Sequence, residues 1–384
     1  MKKIILAGII VVLFAAGCII YVPRDYQDDS RYQDEDYYED SYDYDRNQRD
    51  ISYFYDHLSP YGMWTQHSSY GHIWIPRTNR YQWRPYSYGR WVWSNFGWTW
   101  VSNYKWGWIP FHYGRWDWDS HMGWFWVPDR MWGPGWVAWR TGNMYIGWAP
   151  LPPSVQFIPG RGIFSLRNSI NYRHWVFING SYFTGRDVSR YVMPYERNLT
   201  LINRTVVNTN IILRNDRVMN HGLDVVHVEQ LSKQKVRKYQ IQDARRVGRS
   251  TVSGDRVVMY KPSVNSNPEA KPRRVLQRGE AETEISQSRT KRMEEASPAE
   301  IRDQQEKESS LMRRSQDRET STLKEKMEKS RRTSKSEVDK KKVDQKYQAE
   351  AKQLKERHTT ENKQIKKRHE SETKTVKKRR IKKK

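Results

Sequence analysis

The sequence predicts a mainly β fold, an antiparallel Trp-rich meander of repeated hairpins, followed by a long charged C-terminal α-helix. Three observations carry this: a recurring Tyr-Gly-x-Trp unit, a set of Trp-x-Trp pairs inside those units, and an 11-residue repeat near the C-terminus. The unit occurs as Tyr61-Gly62-Met63-Trp64, Tyr88-Gly89-Arg90-Trp91 and Tyr113-Gly114-Arg115-Trp116, at spacings of 27 and 25 residues. Between these copies Gly71, Gly97 and Gly123 recur at 26 and 26, each with Trp three residues later (Trp74, Trp100, Trp126). A partial fourth copy runs through Gly135-Trp136 and Gly147-Trp148. Fixed internal periods of this length mark repeated supersecondary units, and each unit reads as two short strands joined by a glycine turn.

Five Trp-x-Trp pairs fall in this region: Trp91/Trp93, Trp98/Trp100, Trp106/Trp108, Trp116/Trp118 and Trp124/Trp126. A period of two places both members on one face of a strand, and tryptophan favours strands. Ladders of indoles across neighbouring strands follow, at roughly 0.2–1 kcal/mol per aromatic cross-strand pair. The region also resembles a bacterial envelope family, the YXWGXW-repeat proteins. The residues concerned are Tyr104-Lys105-Trp106-Gly107-Trp108, Phe111-His112-Tyr113-Gly114-Arg115-Trp116 and Gly147-Trp148-Ala149-Pro150-Leu151-Pro152-Pro153, with the likeness continuing to about Val236. The resemblance implies an envelope protein, often a lipoprotein, and carries no established activity.

The tryptophans have two readings. They form the core of a β domain that has no disulfide to staple it, or they form a platform for sugar rings, with Arg90 or Arg115 gripping carboxylates or phosphates. The platform residues would be Arg90, Trp91, Trp93, Arg115, Trp116 and Trp118. The same arginines could instead lie over an indole as cation–π partners.

Beyond a Pro-rich stretch at 151–153, Trp175-Val176-Phe177-Ile178 reads as a strand ending in the turn Asn179-Gly180. Thr205-Val206-Val207 and Asn210-Ile211-Ile212-Leu213 suggest further strands. Residues 224–240 read as a helix, with Asp224 as N-cap and Val225, Val228, Leu231 and Val236 apolar.

The tail is a helix of different character. Val343, Leu354, Ile365 and Val376 lie 11 residues apart. A basic row (Lys291, Arg302, Arg313, Lys324, Lys335, Lys346, Arg357, Arg368, Arg379) keeps the same period. So does an acidic row four residues behind it (Glu295, Glu306, Asp317, Glu328, Asp339, Glu350, Glu361, Glu372). Eleven residues make three turns, so each row holds one face of a nearly straight helix, and i,i+4 pairs support it. About 80 residues would span roughly 120 Å. One apolar residue per unit is sparse for a coiled coil. The tail therefore reads as a solitary spacer, as a helix lying on an anionic surface, or as a weakly self-associating one.

The N-terminus sets the compartment. Lys2 and Lys3 precede an apolar run over residues 4–14 and then Ala15-Ala16-Gly17-Cys18, the pattern of a signal peptide ending in a lipobox. Lipidation of Cys18 is expected, and the run falls short of the about 20 residues a span needs. Ala15 departs from the commoner Leu, and an uncleaved anchor is the alternative. Ile19 after the cysteine favours the outer membrane if enteric sorting rules apply. Cys18 is the only cysteine, so internal disulfides, thiol catalysis and cysteine metal sites are excluded.

Composition divides the chain into a signal peptide (1–17), an acidic Tyr-rich linker (18–50), a Trp-rich β-repeat domain (51–153), a second β/α part (154–262), a linker (263–297) and a charged helix (298–384). The stretch 24–50 has 11 acidic residues against 4 Arg and lacks aliphatics, the composition of a disordered spacer. It could alternatively dock on the protein's own basic regions.

Catalytic signatures are sparse. None of the eight histidines of residues 51–262 sits in a metal-ligand spacing. Asp117, Asp119 and His121 alternate and could face one way, towards a divalent ion or a sugar, or simply decorate a turn. Asp56, Asp117, Asp119 and Asp129 are the candidate carboxylates for glycoside hydrolysis. No cofactor motif is present. The expected function is therefore a non-catalytic, lipid-anchored cell-envelope protein. Its basic tail would hold an anionic polymer such as peptidoglycan, and nucleic acid is an unexpected partner outside the cytoplasm. The alternative is an enzyme or enzyme accessory acting on wall glycans.

Overall fold

The hairpins begin with a glycine constraint. In the computed structural model Gly89 and Gly114 have φ of +148° and +64°, and a Cβ on either would strike the opposing strand's carbonyl, at Val101 and Val127. Gly71, Gly97 and Gly123 have φ between +70° and +82° and close the turns of the same hairpins. The repeated glycines thus admit close approach at the open end of each hairpin and reverse the chain at the other.

The structure describes residues 49–382 apart from 79–82, 159–161, 164–165, 167–169, 216, 296 and 335, so Cys18, the signal peptide and all but the last two residues of the acidic linker lie outside it. A short helix α1 (Ser52–Leu58) opens the fold. Four hairpins follow: β1/β2 (Gly62–His67, Gly71–Pro76), β3/β4 (Gly89–Ser94, Gly97–Ser102), β5/β6 (Arg115–Asp119, Gly123–Val127) and β7/β8 (Val137–Thr141, Tyr145–Pro150). Next come β9 (Phe157–Ile158), β10 (Gly162–Ile163), β11 (Val176–Asn179), α2 (Asn198–Asn203), β12 (Val206–Val207), β13 (Ile211–Arg214) and β14 (Arg217–Asn220). The body closes with α3 (Val225–Ser232), β15 (Lys238–Asp243), β16 (Thr251–Ser253) and β17 (Arg256–Met259), and the tail holds α4 (Arg278–Glu295), α5 (Pro298–Thr333) and α6 (Glu337–Lys382).

The fold is mainly β with long C-terminal helices, as the sequence predicts, and the hairpins are shared among three sheets. One has the order β1-β2-β6-β5, a second β11-β8-β7-β12, and the largest β13-β14-β4-β3-β15-β17-β16. Each hairpin sets tryptophan against tryptophan: Trp64 faces Trp74, Trp91 faces Trp100, Trp116 faces Trp126 and Trp139 faces Trp148. These pairs meet in one core with Phe54 and Leu58 of α1. Trp91, for example, packs edge-on against Trp139 with ring centroids 4.6 Å apart.

Three expectations need correction. The helix expected over 224–240 is capped by Asp224 but stops at Ser232, where Lys233 turns left-handed (φ 57°), and the chain re-enters as β15. The segment read as a linker, 263–297, contains α4, which buries Ala281 and Ile285 against Met63, Ile73 and Phe125 on the back of the first sheet. The tail is not one solitary rod. It breaks between Thr333 and Glu337, and α6 returns along α5.

Candidate functional site on the helical hairpin

The residues proposed for a Trp platform separate on burial. Trp91 and Trp116 are core residues, 2% and 1% exposed. Trp93 is half-buried and packs on Trp98. Trp118, at the end of β5, is the exposed one, at 43%. Arg90 is half-buried, and burial lowers its pKa. Arg115 lies over the Trp136 ring, 3.5 Å from its centroid, and donates to the Gly114 carbonyl. Burial pushes its pKa down to about 10. Arg115 is therefore the cation–π partner that the Tyr-Gly-Arg-Trp unit allows. Most indole N–H groups of the core are spent internally: Trp74 on Leu58 O, Trp126 on Tyr113 O and Trp148 on Tyr86 O, each at 2.8–3.0 Å. The six residues do not converge on one open surface.

Asp117, Asp119 and His121 also part company. Asp117 accepts from the Tyr70 hydroxyl at 3.4 Å, and burial raises its pKa. Asp119 and His121 meet Glu282 of α4, with ligand-type atoms within 4.8 Å of one another. That trio could hold a metal ion, but Arg278 already supplies the positive charge. It donates to Asp119 at 3.1 Å and to Glu282 at 2.9 Å.

The most organised constellation lies where α5, α6 and the β body meet, and it follows the 11-residue period. Gln316 of α5 donates to the His358 carbonyl and to Glu361, while His358 Nε2 bonds Glu319 at 2.9 Å. One repeat away Gln305 donates to the His369 carbonyl and to Glu372, while His369 Nε2 bonds Glu308 at 3.0 Å. In the opposite direction the same step brings Ser330 to Tyr347, 3.1 Å apart. A step of 11 up α5 thus matches a step of 11 down α6, and the repeat is the register of an antiparallel hairpin.

The β body supplies charge to both layers from consecutive residues of one 3₁₀ turn, Tyr195–Arg197. Arg197 is fully buried and pairs with Glu319 and Glu361. Thr200 donates to Glu361, and Tyr145 shares a 2.6 Å hydrogen bond with Ser315. In the other layer Arg368 joins Glu196 (2.6 Å), Glu308 (2.7 Å) and Glu372 (3.1 Å). Burial alone would raise the Glu308 and Glu319 pKa values. The histidine and arginine beside each outweigh it and hold both below their ordinary value. For buried ions this is the arrangement that offsets desolvation.

The consequence is a sorting of charge. Residues 298–384 hold 30 Lys and Arg against 16 Asp and Glu. Glu308, Glu319, Glu361 and Glu372 are turned inward. Over 298–374, Lys335 aside, every Lys and Arg except Lys307, Lys340 and Arg368 is exposed. Lys341, Lys352 and Lys363 repeat every 11 residues along the exposed side of α6, and the next lysine of the row, Lys374, borders the hollow between α5 and α6. The sequence signal for the layers is the 11-residue spacing of Glu308/Glu319 and His358/His369.

A family of unknown function (DUF6600) matches residues 55–155, the stretch that holds the four Trp hairpins. The chain is similar to that family there, over about a quarter of its length. No curated protein and no solved structure matches the chain.

Proposed function

We propose that this protein is a non-catalytic cell-envelope protein, anchored by a lipid on Cys18, that holds an anionic envelope polymer such as peptidoglycan on its basic helical hairpin. The observation that carries the reading is the sorting of charge: buried acids are neutralised internally and the outward face keeps its lysines and arginines. Over 298–374, Lys335 aside, 19 Lys and Arg are exposed against 10 Asp and Glu, and a surface with such a net positive excess raises the local concentration of an opposite polyion and steers its approach. The tryptophans, mostly in the core, leave the β body as the support that fixes the hairpin. The lipobox and the resemblance to envelope proteins of the YXWGXW type support export, to the outer membrane by the residue after Cys18. Among the described residues no helix is long and apolar enough to cross a membrane.

The test is co-sedimentation of the soluble chain, starting after Cys18, with insoluble peptidoglycan across a salt series. Pelleting should fall steeply as salt rises, because exposed charges are screened within about 8 Å at physiological ionic strength. Replacing Lys341, Lys352 and Lys363 with Glu should cut it at least tenfold at low salt. Pelleting that resists salt and ignores these substitutions, or no pelleting at all, contradicts the reading.

A further inference from the structure

Resting on the reading that the hairpin holds an anionic envelope polymer, we infer that the groove between α5 and α6 is a built subsite for an acidic saccharide unit, one bearing a carboxylate or phosphate. The groove has a volume of about 610 Å³ and is lined by three cations, Arg313, Lys366 and Lys374, and one exposed carboxylate, Glu370. A second hollow of about 310 Å³ shares Gln305, Ser309 and Arg313 with it and extends it towards Arg302 and Glu306. None of these four cations takes part in an ion pair among the described residues. They contrast with Arg197 and Arg368, which are consumed in the buried layers.

The lining chemistry selects a sugar over other polyanions. Ser309 donates its hydroxyl proton to the Gln305 carbonyl at 2.7 Å, and Thr373 donates to the His369 carbonyl at 2.9 Å. Both residues line the groove, and with its proton spent each oxygen keeps only acceptor capacity for a sugar hydroxyl. Asn362, held by a 3.1 Å hydrogen bond to Gln316, adds an amide oxygen, and the floor is apolar at Met312 and Ile365. Acceptors for hydroxyls, a small apolar floor and cations for the acid group make up a saccharide's requirements, in a hollow of ordinary ligand size. Single-stranded nucleic acid would want aromatic stacking surfaces, and His369, the only ring in the lining, is tied to Glu308. A bilayer would want an apolar helix face with bulky residues at the surface, whereas Met312 and Ile365 are buried.

The test is calorimetry of the soluble full chain with a short oligogalacturonate, a neutral malto-oligosaccharide of equal length, and phosphatidylglycerol vesicles. Three variants are compared: Arg313→Gln/Lys366→Gln/Lys374→Gln in the groove, Lys324→Gln/Lys326→Gln/Lys329→Gln on the exposed side of α5 outside it with the same change of charge, and Ser309→Leu, which fills the groove without changing charge. The subsite predicts binding of the acidic sugar in preference to the neutral one. It also predicts a loss of at least tenfold for the groove triple and for Ser309→Leu, against less than threefold for the outer triple. Equal losses for the two triples, an unaffected Ser309→Leu, preference for vesicles, or no binding of the acidic sugar overturns it. Failure here with salt-sensitive pelleting on peptidoglycan intact would leave the polymer reading standing as diffuse electrostatics. Loss of that pelleting removes the reading itself.

Discussion

Arg197 has no solvent contact, yet it faces two carboxylates, Glu319 and Glu361, that arrive from two different helices. Removing one partner of such a group strands the others as uncompensated buried charges, at a cost of about 3–5 kcal/mol. Arg197→Met should therefore lower stability by about that amount in chemical denaturation, whereas Arg313→Gln on the open rim should shift it by less than about 0.5 kcal/mol. Near-equal effects would mean the layer does not hold the hairpin. Tryptophans divide in the same way. Trp126 is fully buried, faces Trp116 across the hairpin and is bonded to the Tyr113 carbonyl. Trp126→Ala should cost about 3–5 kcal/mol. Trp118→Ala, at the exposed end of the same strand pair, should be close to neutral, and a thermal melt of both variants separates the two roles.

At the scale of elements, the acid sensitivity of the hairpin follows from its two layers. Glu308 faces His369 and Arg368, and Glu319 faces His358, Arg197 and Arg204. Both carboxyls are held below their ordinary value near 4.5. A depressed folded value means the contribution is fully present above the unfolded value and is lost as pH falls through the folded one. Amide protection of α5 and α6 should therefore persist down to about pH 5 and collapse in acid below about 4.5. Loss of protection already between pH 8 and 6 would contradict this.

Much of this scale was legible in the sequence. Glycine spacing located the hairpins and Trp-x-Trp the faces, because period two and φ above zero are local properties. Hairpin order was not legible: β6 pairs with β2 through Trp74 and Trp126, a choice made by core packing rather than by any local signal. The tail shows the same limit. An 11-residue period describes a straight helix or two folded halves equally well, and the break is marked only by a helix-start signature, Ser336 bonded to the Asp339 amide at 3.1 Å. Ser297 with Glu300 makes the full capping box at the start of α5.

For the whole molecule, the Trp body and the basic hairpin are one unit: Leu311 packs on the cluster of Trp136 and Trp175, and both ion layers reach into the body. A rod standing away from the body would show its acids to solvent and bind an anionic polymer poorly. The folded hairpin hides four of them. The candidate site was thus half legible, its basic charge from composition and its inward acids only from the fold, because which side of a charged helix is buried depends on what it meets.

The most direct test is the distance between α5 and α6. Cys18 is the only native cysteine, so the soluble chain can carry spin labels at Arg314→Cys and Lys363→Cys alone. The folded hairpin places these sites on adjacent helices, whose axes run about 8–10 Å apart, and predicts an inter-label distance well under about 35 Å. A single extended helix would separate them by roughly 74 Å at 1.5 Å per residue. A short, narrow distribution supports the account, and a distance near the longer value would contradict the inward turning of the acids on which the proposed binding face depends.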